Sequence, residues 1–241
     1  MTWKSNKNPM FRTKFSEDIF NTKYAHENAT TWAELARTLV EDVCRDMMPQ
    51  EEKDELTDHL TNLRWVAGGR YLYYAGRKNK FFNNCFLLRA EEDTREDWAN
   101  LSWKAESCLM TGGGIGIDYS IYRPAGSALG GTGGTASGAV TKMRMINEIG
   151  RSVMQGGSRR SAIYASLNWK HGDIQDFLNA KNWQDMPVGN SGYTLFDAKQ
   201  DDFNFPAPLD MTNISVNYDT DWLLNYWRTG EVGDVFMKNC R

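Results

Sequence analysis

Histidine is scarce in this sequence, with three in 241 residues, and cysteine is nearly as rare, with four. Cys44, Cys85, Cys108 and Cys240 form no CxxC pair and show no metal-ligand spacing, so no metal site is expected. No Ser/His/Asp triad is legible. No apolar run approaches the ~18 residues of a membrane span, which argues against a membrane partner. The start, Met1-Thr2-Trp3-Lys4-Ser5, lacks the apolar core of a secretory signal. Four thiols without such a signal point to a reducing cytoplasm. Excess positive charge is missing too: the net charge is −3, which speaks against a nucleic-acid surface. Repeats and low-complexity segments are absent. What remains is an ordinary soluble composition, 41% hydrophobic and 24% charged, in a chain long enough to bury a real core.

Glycine, in contrast, is concentrated. It clusters in Thr111-Gly112-Gly113-Gly114-Ile115-Gly116-Ile117-Asp118, in Gly130-Gly131-Thr132-Gly133-Gly134-Thr135-Ala136-Ser137-Gly138, and in Gln155-Gly156-Gly157-Ser158-Arg159-Arg160. Glycine costs backbone entropy and is kept where the chain needs positive φ or a ligand must approach the backbone. Neither of the first two clusters is a known phosphate fingerprint. No G-x-G-x-x-G opens a helix after a strand, and no G-K-[ST] follows the second run. Arg123, Arg159 and Arg160 beside these loops point to a phosphate-bearing ligand, because guanidinium groups bind phosphate in a bidentate way.

The remaining pattern is that of an α/β protein behind a helical start. Residues 1–29 read as polar and mostly irregular. Thr31-Trp32-Ala33-Glu34 is a capping box, and Trp32, Leu35, Ala36, Leu39, Val40 and Val43 then share one helical face. Pro49 opens a second helix, with Leu56, Leu60 and Leu63 inward. A turn follows at Ala67-Gly68-Gly69-Arg70. Phe81 to Leu88 suits a buried strand. Residues 94–110, 138–154 and 173–180 read as helices, and 115–117, 162–167 and 213–216 as strands. Strands alternating with helices predict a parallel sheet. The division expected is a mainly helical region over 1–66 and an α/β region over 67–241. Lys238-Asn239-Cys240-Arg241 does not look like a natural tail, so the sequence reads as part of a longer or split protein.

A cysteine on an apolar strand is ordinarily an inert small hydrophobe. Asn83 and Asn84 beside Cys85 argue instead for a surface that contacts something. Cys44 and Cys108 lie on apolar helical faces and keep the ordinary reading.

Ala67-Gly68-Gly69-Arg70, Asn84-Cys85-Phe86, Gly112-Gly113-Gly114-Ile115-Gly116, Arg123-Pro124-Ala125-Gly126, Gln155-Gly156-Gly157-Ser158-Arg159-Arg160, His171-Gly172-Asp173-Ile174 and Asn213-Ile214-Ser215-Val216 follow one another in order. This ordered set, over roughly residues 30–237, resembles the catalytic large subunit of ribonucleotide reductases, in the manner of the adenosylcobalamin-dependent class and related class I enzymes. The resemblance implies the N-terminal part of a ten-stranded α/β barrel, without an ATP cone. It also implies reduction of ribonucleoside di- or triphosphates by thiyl-radical chemistry. Cys85 matches the first cysteine of the redox pair. Tyr71, Asn84, Cys85, Gly113 and Gly114 match substrate-binding positions. Asp93, Thr94, Arg95, Arg123 and Arg159 match positions that hold a deoxynucleotide effector, bound with magnesium. The implied radical source is adenosylcobalamin or a dimetal small subunit. The implied partners are a thioredoxin- or glutaredoxin-type reductant, the C-terminal part of the same enzyme, which would bring the radical cysteine, and a second copy of the chain in a homodimer. Three positions depart from the family pattern: Ser161 stands for the usual glycine of the loop, Gly172 for the commoner proline, and Gly130 for an effector-phosphate arginine of some relatives. A reading from another class is a nucleotide-binding regulatory or assembly fragment in which Cys85 has no chemical role. An unrelated α/β oxidoreductase with a glycine-rich cofactor site is the third.

Overall fold

The computed structural model describes residues 11, 13–131, 133–153, 161–190 and 192–239. The chain forms two compact units, Met1–Asn83 and Asn84–Arg241.

The first unit is helical. Where an irregular start was expected, Thr13 caps a short helix α1 (Lys14–Ile19), and a π-helical turn continues over Phe20–Tyr24. Phe20 is buried and packs edge-on to Trp32. Helix α2 (Trp32–Cys44) starts at the anticipated capping box: Thr31 Oγ1 accepts from Glu34 N, and Glu34 Oε2 accepts from Thr31 N. Its buried face carries Leu35, Ala36, Leu39 and Val40. Helix α3 (Gln50–Thr61) lies against α2, joined by Trp32 Nε1 donating to Leu60 O at 3.2 Å. Leu60 is fully buried, but Leu63 is exposed and not inward as expected. Leu63 falls past the helix end, at φ 56°, and so leaves the helical face. The chain turns at Gly68 into α4 (Gly69–Tyr74).

The second unit is built on a four-stranded sheet of β1 (Cys85–Arg89), β2 (Gly114–Asp118), β3 (Ile163–Asn168) and β4 (Thr212–Asn217), in sequence order. Every neighbouring pair is parallel. Parallel strands need crossover connections, and helices supply them. Helix α5 (Arg95–Met110) links β1 to β2, α6 (Ala139–Ser152) links β2 to β3, and α7 (Ile174–Asn179) and α8 (Leu195–Asp201) lie between β3 and β4. After β4 come α9 (Thr220–Thr229) and α10 (Gly233–Asn239). The core fills the space between sheet and helices with Leu101, Leu109, Ile117, Met143, Ile146, Ile163, Leu167 and Phe177. Strand β3 has the most buried pattern. Strand β1 differs from expectation: it is an edge of the described sheet, and Leu87 is 86% exposed.

Candidate functional site

The parallel register brings Cys85 beside Gly114 and Ile115 beside Ile163. Gly114 N donates to Asn84 O at 2.8 Å, and Ile115 N donates to Ala162 O at 3.0 Å. The amino ends of three strands thus meet around one exposed thiol, Cys85. The glycines here have packing reasons. A Cβ on Gly113 would stand 2.4 Å from the Phe86 ring, far inside contact distance. One on Gly114 would lie 3.2 Å from Ala162 O and 3.8 Å from Cys85 Sγ. Backbone alone therefore borders the thiol on the β2 side. Asn84, Cys85, Gly113 and Gly114, expected at one substrate site, are brought together. Tyr71 lies in the first unit, where its ring stacks on Phe82 at 4.9 Å and borders an apolar cavity of about 330 Å³ with Cys44 and Trp65.

A second cluster forms at the start of α5. Thr94 is its N-cap, with Oγ1 accepting from Asp97 N. The Asp97 carboxylate turns back to the preceding loop. It accepts from Glu92 N and Glu91 N, and the Glu92 amide first among these holds its pKa below the usual range. Asp93 reaches across to Arg123: its Oδ2 accepts from Arg123 Nε and from Arg123 N, and its carbonyl accepts from Arg123 Nη2 at 3.0 Å. Asp93, Thr94, Arg95 and Arg123 line one cleft of about 370 Å³, floored by Trp98 and closed by the segment ending at Gly138. Arg95 is almost fully exposed and pairs with Glu96. Four of the five expected effector positions therefore share a cleft. Arg159 lies outside the described residues.

The glycine run over this cleft is a small hairpin. Ala128 bridges Thr135, Leu129 N donates to Gly134 O, and Gly133 and Gly134 take positive φ as a tight tip requires. Gly130 stands in open space.

Below the cleft, α6 packs on α5 through Lys142, whose side chain is fully buried. Its Nζ donates to Trp98 O and Ser102 Oγ, both at 2.5 Å, and lies 4.8 Å from the Trp98 ring centroid. Burial lowers its pKa to about 8. At the other end of α6, Asp210 accepts from Arg151, Lys199 and Asn147. Burial alone would raise its pKa, but these donors hold it below the usual range. The departure at Ser161 has a visible consequence: its Oγ donates to Val153 O at 3.3 Å, tying the two ends of segment 154–160 together.

The sequence reading named His171-Gly172-Asp173-Ile174 only as a motif and a helix start. Asp173 is buried, and its carboxylate does not cap its own helix. Oδ1 accepts from Ala125 N at 2.9 Å and Oδ2 from Ala139 N at 2.8 Å. His171 Nδ1 accepts from Asp173 N, so its Nε2 carries the hydrogen donated to Tyr122 O at 2.6 Å. Gly172 is forced by space: a Cβ there would lie 2.6 Å from Pro124 Cγ. No local sequence signal exposes this knot, because the bonded residues lie 34 and 48 positions apart.

No group of three or more His, Cys, Asp or Glu among the described residues could hold a metal ion. No helix of the described residues is long and apolar enough to cross a membrane.

A family model described as "Ribonucleotide reductase, barrel domain" matches residues 83–196. A vitamin B12-dependent ribonucleoside-diphosphate reductase of Mycobacterium tuberculosis (strain CDC 1551 / Oshkosh) is 38% identical over 122 residues, which is 51% of this chain and 18% of that protein. One from Thermoplasma acidophilum is 30% identical over 190 residues, 74% of this chain and 25% of that protein. The ribonucleoside-diphosphate reductase large chain of Schizosaccharomyces pombe is 34% identical over 111 residues, 46% of this chain and 14% of that protein. The chain thus spans a quarter or less of the length of these curated relatives. In fold, the alpha subunit of the Actinobacillus ureae class Id ribonucleotide reductase superposes with a TM-score of 0.67 at 16% identity, over 90% of this chain and 35% of that one.

Proposed function

We propose that this chain, whose residues 83–196 match the ribonucleotide reductase barrel-domain model, forms the effector-binding, cysteine-bearing part of an enzyme that reduces ribonucleotides to deoxyribonucleotides. The observation that carries this reading is the thiol of Cys85, exposed at the start of β1 beside a glycine backbone. In the net reaction the ribose 2′-hydroxyl leaves as water. Two thiols, one of them Cys85, give up two electrons and two protons and become a disulfide. A thioredoxin- or glutaredoxin-type dithiol then reduces that disulfide. The second thiol and the radical cysteine come from polypeptide outside these 241 residues.

The chain's own residues bind and position. Asn84 and the Gly113–Gly114 backbone border the ribose beside Cys85. The cleft at Asp93, Thr94, Arg95 and Arg123 takes a deoxynucleoside triphosphate, with Arg159 relaying its identity toward the substrate. Asp93, the carboxylate of that cleft, is already engaged by Arg123, so magnesium arrives on the phosphates. The radical is started by adenosylcobalamin or by a dimetal small subunit. Helix α9 exposes Leu223, Leu224 and Trp227, a face suited to the remaining barrel. The outer face of α5 exposes Trp103 and Met110, a face suited to a second copy. The proposed place of work is the cytoplasm, where dithiol reductants keep thiols reduced.

The test is Cys85→Ser in the enzyme reconstituted with its C-terminal part, with dithiothreitol as reductant. Loss of turnover with deoxynucleotide binding retained supports the reading. Retained turnover favours a nucleotide-binding module without chemistry of its own.

A further inference from the structure

We propose that Asp173 is the positioning residue that sets the shape of the effector cleft, latching the Tyr122–Gly126 turn to the first turn of α6. The inference rests on the cleft being the nucleotide site proposed above. Asp173 does not line the cleft; it acts through residues that do.

The geometry makes the latch specific. The first N–H groups of any helix lack intrahelical partners and need a cap. At α6 the N-cap is Gly138, at φ 82°, and it has no side chain to offer. The cap comes instead from Asp173, 34 residues along the chain. Space forbids a local solution: a Cβ on Gly138 would fall 2.5 Å from Asp173 Oδ2 and 2.7 Å from Ala125 N. The other carboxylate oxygen takes the Ala125 amide. Arg123 is thus bracketed. One side is tied at Tyr122 O through His171, and the other at Ala125 N through Asp173. Ala125, two residues after the cleft residue Arg123, and Ala139, next to the cleft residue Gly138, are held by one buried carboxylate. A carboxylate bonded to two amides is acceptor-only, so asparagine cannot replace it: its NH2 would face one of the two N–H groups.

The experiment compares parent and Asp173→Asn in the reconstituted enzyme, using dTTP and dATP as probes in calorimetry and amide hydrogen exchange well below the melting temperature. The expected result is at least a tenfold rise in Kd for the bound deoxynucleotide, with exchange accelerated only over residues 122–139. An unchanged Kd, or acceleration spread evenly over the sheet, overturns the latch, since a general loss of stability would do the latter. If Asp173→Asn does not fold, His171→Gln decides. A Kd at least threefold higher, with the same local exchange, supports the latch, and parental values overturn it. If the parent binds neither nucleotide, the nucleotide reading of the cleft fails. The latch then stands or falls on whether exchange is accelerated locally.

Discussion

The thiol end of the sheet and the cleft beside α5 are built in opposite ways. At the thiol end a single reactive atom stands exposed, on a residue paired with Gly114 of the neighbouring strand. No charged side chain is hydrogen-bonded to Cys85 among the described residues. The cleft is a mesh: Asp93 on Arg123, Thr94 on Asp97, Asp97 on two loop amides, Asp173 on two more. A site that must bind one charged ligand repeatedly gains from having its donors fixed beforehand. A thiol that must meet a ribose, a second thiol and then an external reductant needs access on several sides. On the proposed reading, the difference teaches that binding geometry is carried within this chain, whereas the chemistry of Cys85 is left for completion by other groups.

The sharpest way to break this comparison is at Cys85. Cys85→Ser removes the electron donor and leaves the packing, because the side chain is exposed. Turnover of the reconstituted enzyme with dithiothreitol should fall by about 1000-fold or more, since the residual activity of enzymes lacking a covalent participant comes from binding alone. Deoxynucleotide affinity, measured by calorimetry on the same protein, should match the parent. A parallel loss of affinity would show that thiol end and cleft are one site.

Arg123→Ala tests the other side. It removes a guanidinium that meets Asp93 twice, at the carboxylate and at the carbonyl, and leaves that carboxylate with the residue 123 backbone amide but without its cation. Losing a charge-assisted bond to phosphate costs roughly 1.5–3 kcal/mol, so dTTP affinity should drop about 10- to 150-fold. Affinity indistinguishable from the parent would remove the cleft from the nucleotide reading.

Gly113→Ala probes whether the glycines near the thiol serve space or catalysis. The added Cβ would stand 2.4 Å from the Phe86 ring, an overpacking that costs about 1–3 kcal/mol. Denaturant melts should show that loss. Gly114→Ala meets nothing closer than 3.2 Å and should be the milder of the two in stability. A reversed order would mean the strand ends relax more freely than their register implies.

How far such a design is legible in sequence depends on how local its cause is. The capping box at Thr31 and Glu34 and the α5 start at Thr94 are local and were readable. So was the order of strands and helices, which the hydrophobic periods and glycine breaks carry. Helix α1 was hidden because Lys14–Ile19 is only six residues long and buries none of them. Leu63 misled because its period continues the helix while its backbone does not. The exposure of β1 could not be read from Phe86, Leu87 and Leu88, since an edge is defined by a missing neighbour and not by the strand itself. The likeness to ribonucleotide reductases was legible in ordered motifs, yet it marked the 171–174 block without its function. That function is a bond between residues 34 and 48 positions apart, which no local pattern encodes.

The smallest expected effect lies under the cleft, at Lys142, and it separates what the cleft needs from what the fold tolerates. Burial lowers this lysine to about 8, against 10.5 for an unperturbed one. Below pH 8 both folded and unfolded chains hold the proton, and the burial penalty is constant. Between pH 8 and 10.5 the unfolded chain still binds a proton that the folded chain has released. The contribution of Lys142 to stability therefore rises with pH across that window. Between pH 7.5 and 9 the gain is about 1 kcal/mol. Lys142→Met keeps most of the packing and removes the titration. Denaturant melts of both proteins over this range should show the parent gaining on the variant by that amount. The variant should be at least as stable as the parent at pH 7, because an apolar side chain of similar length carries no buried charge. If the difference stays flat with pH, the bonds to Trp98 O and Ser102 Oγ hold the ammonium charged throughout. The floor of the cleft would then be as tightly engaged as its walls.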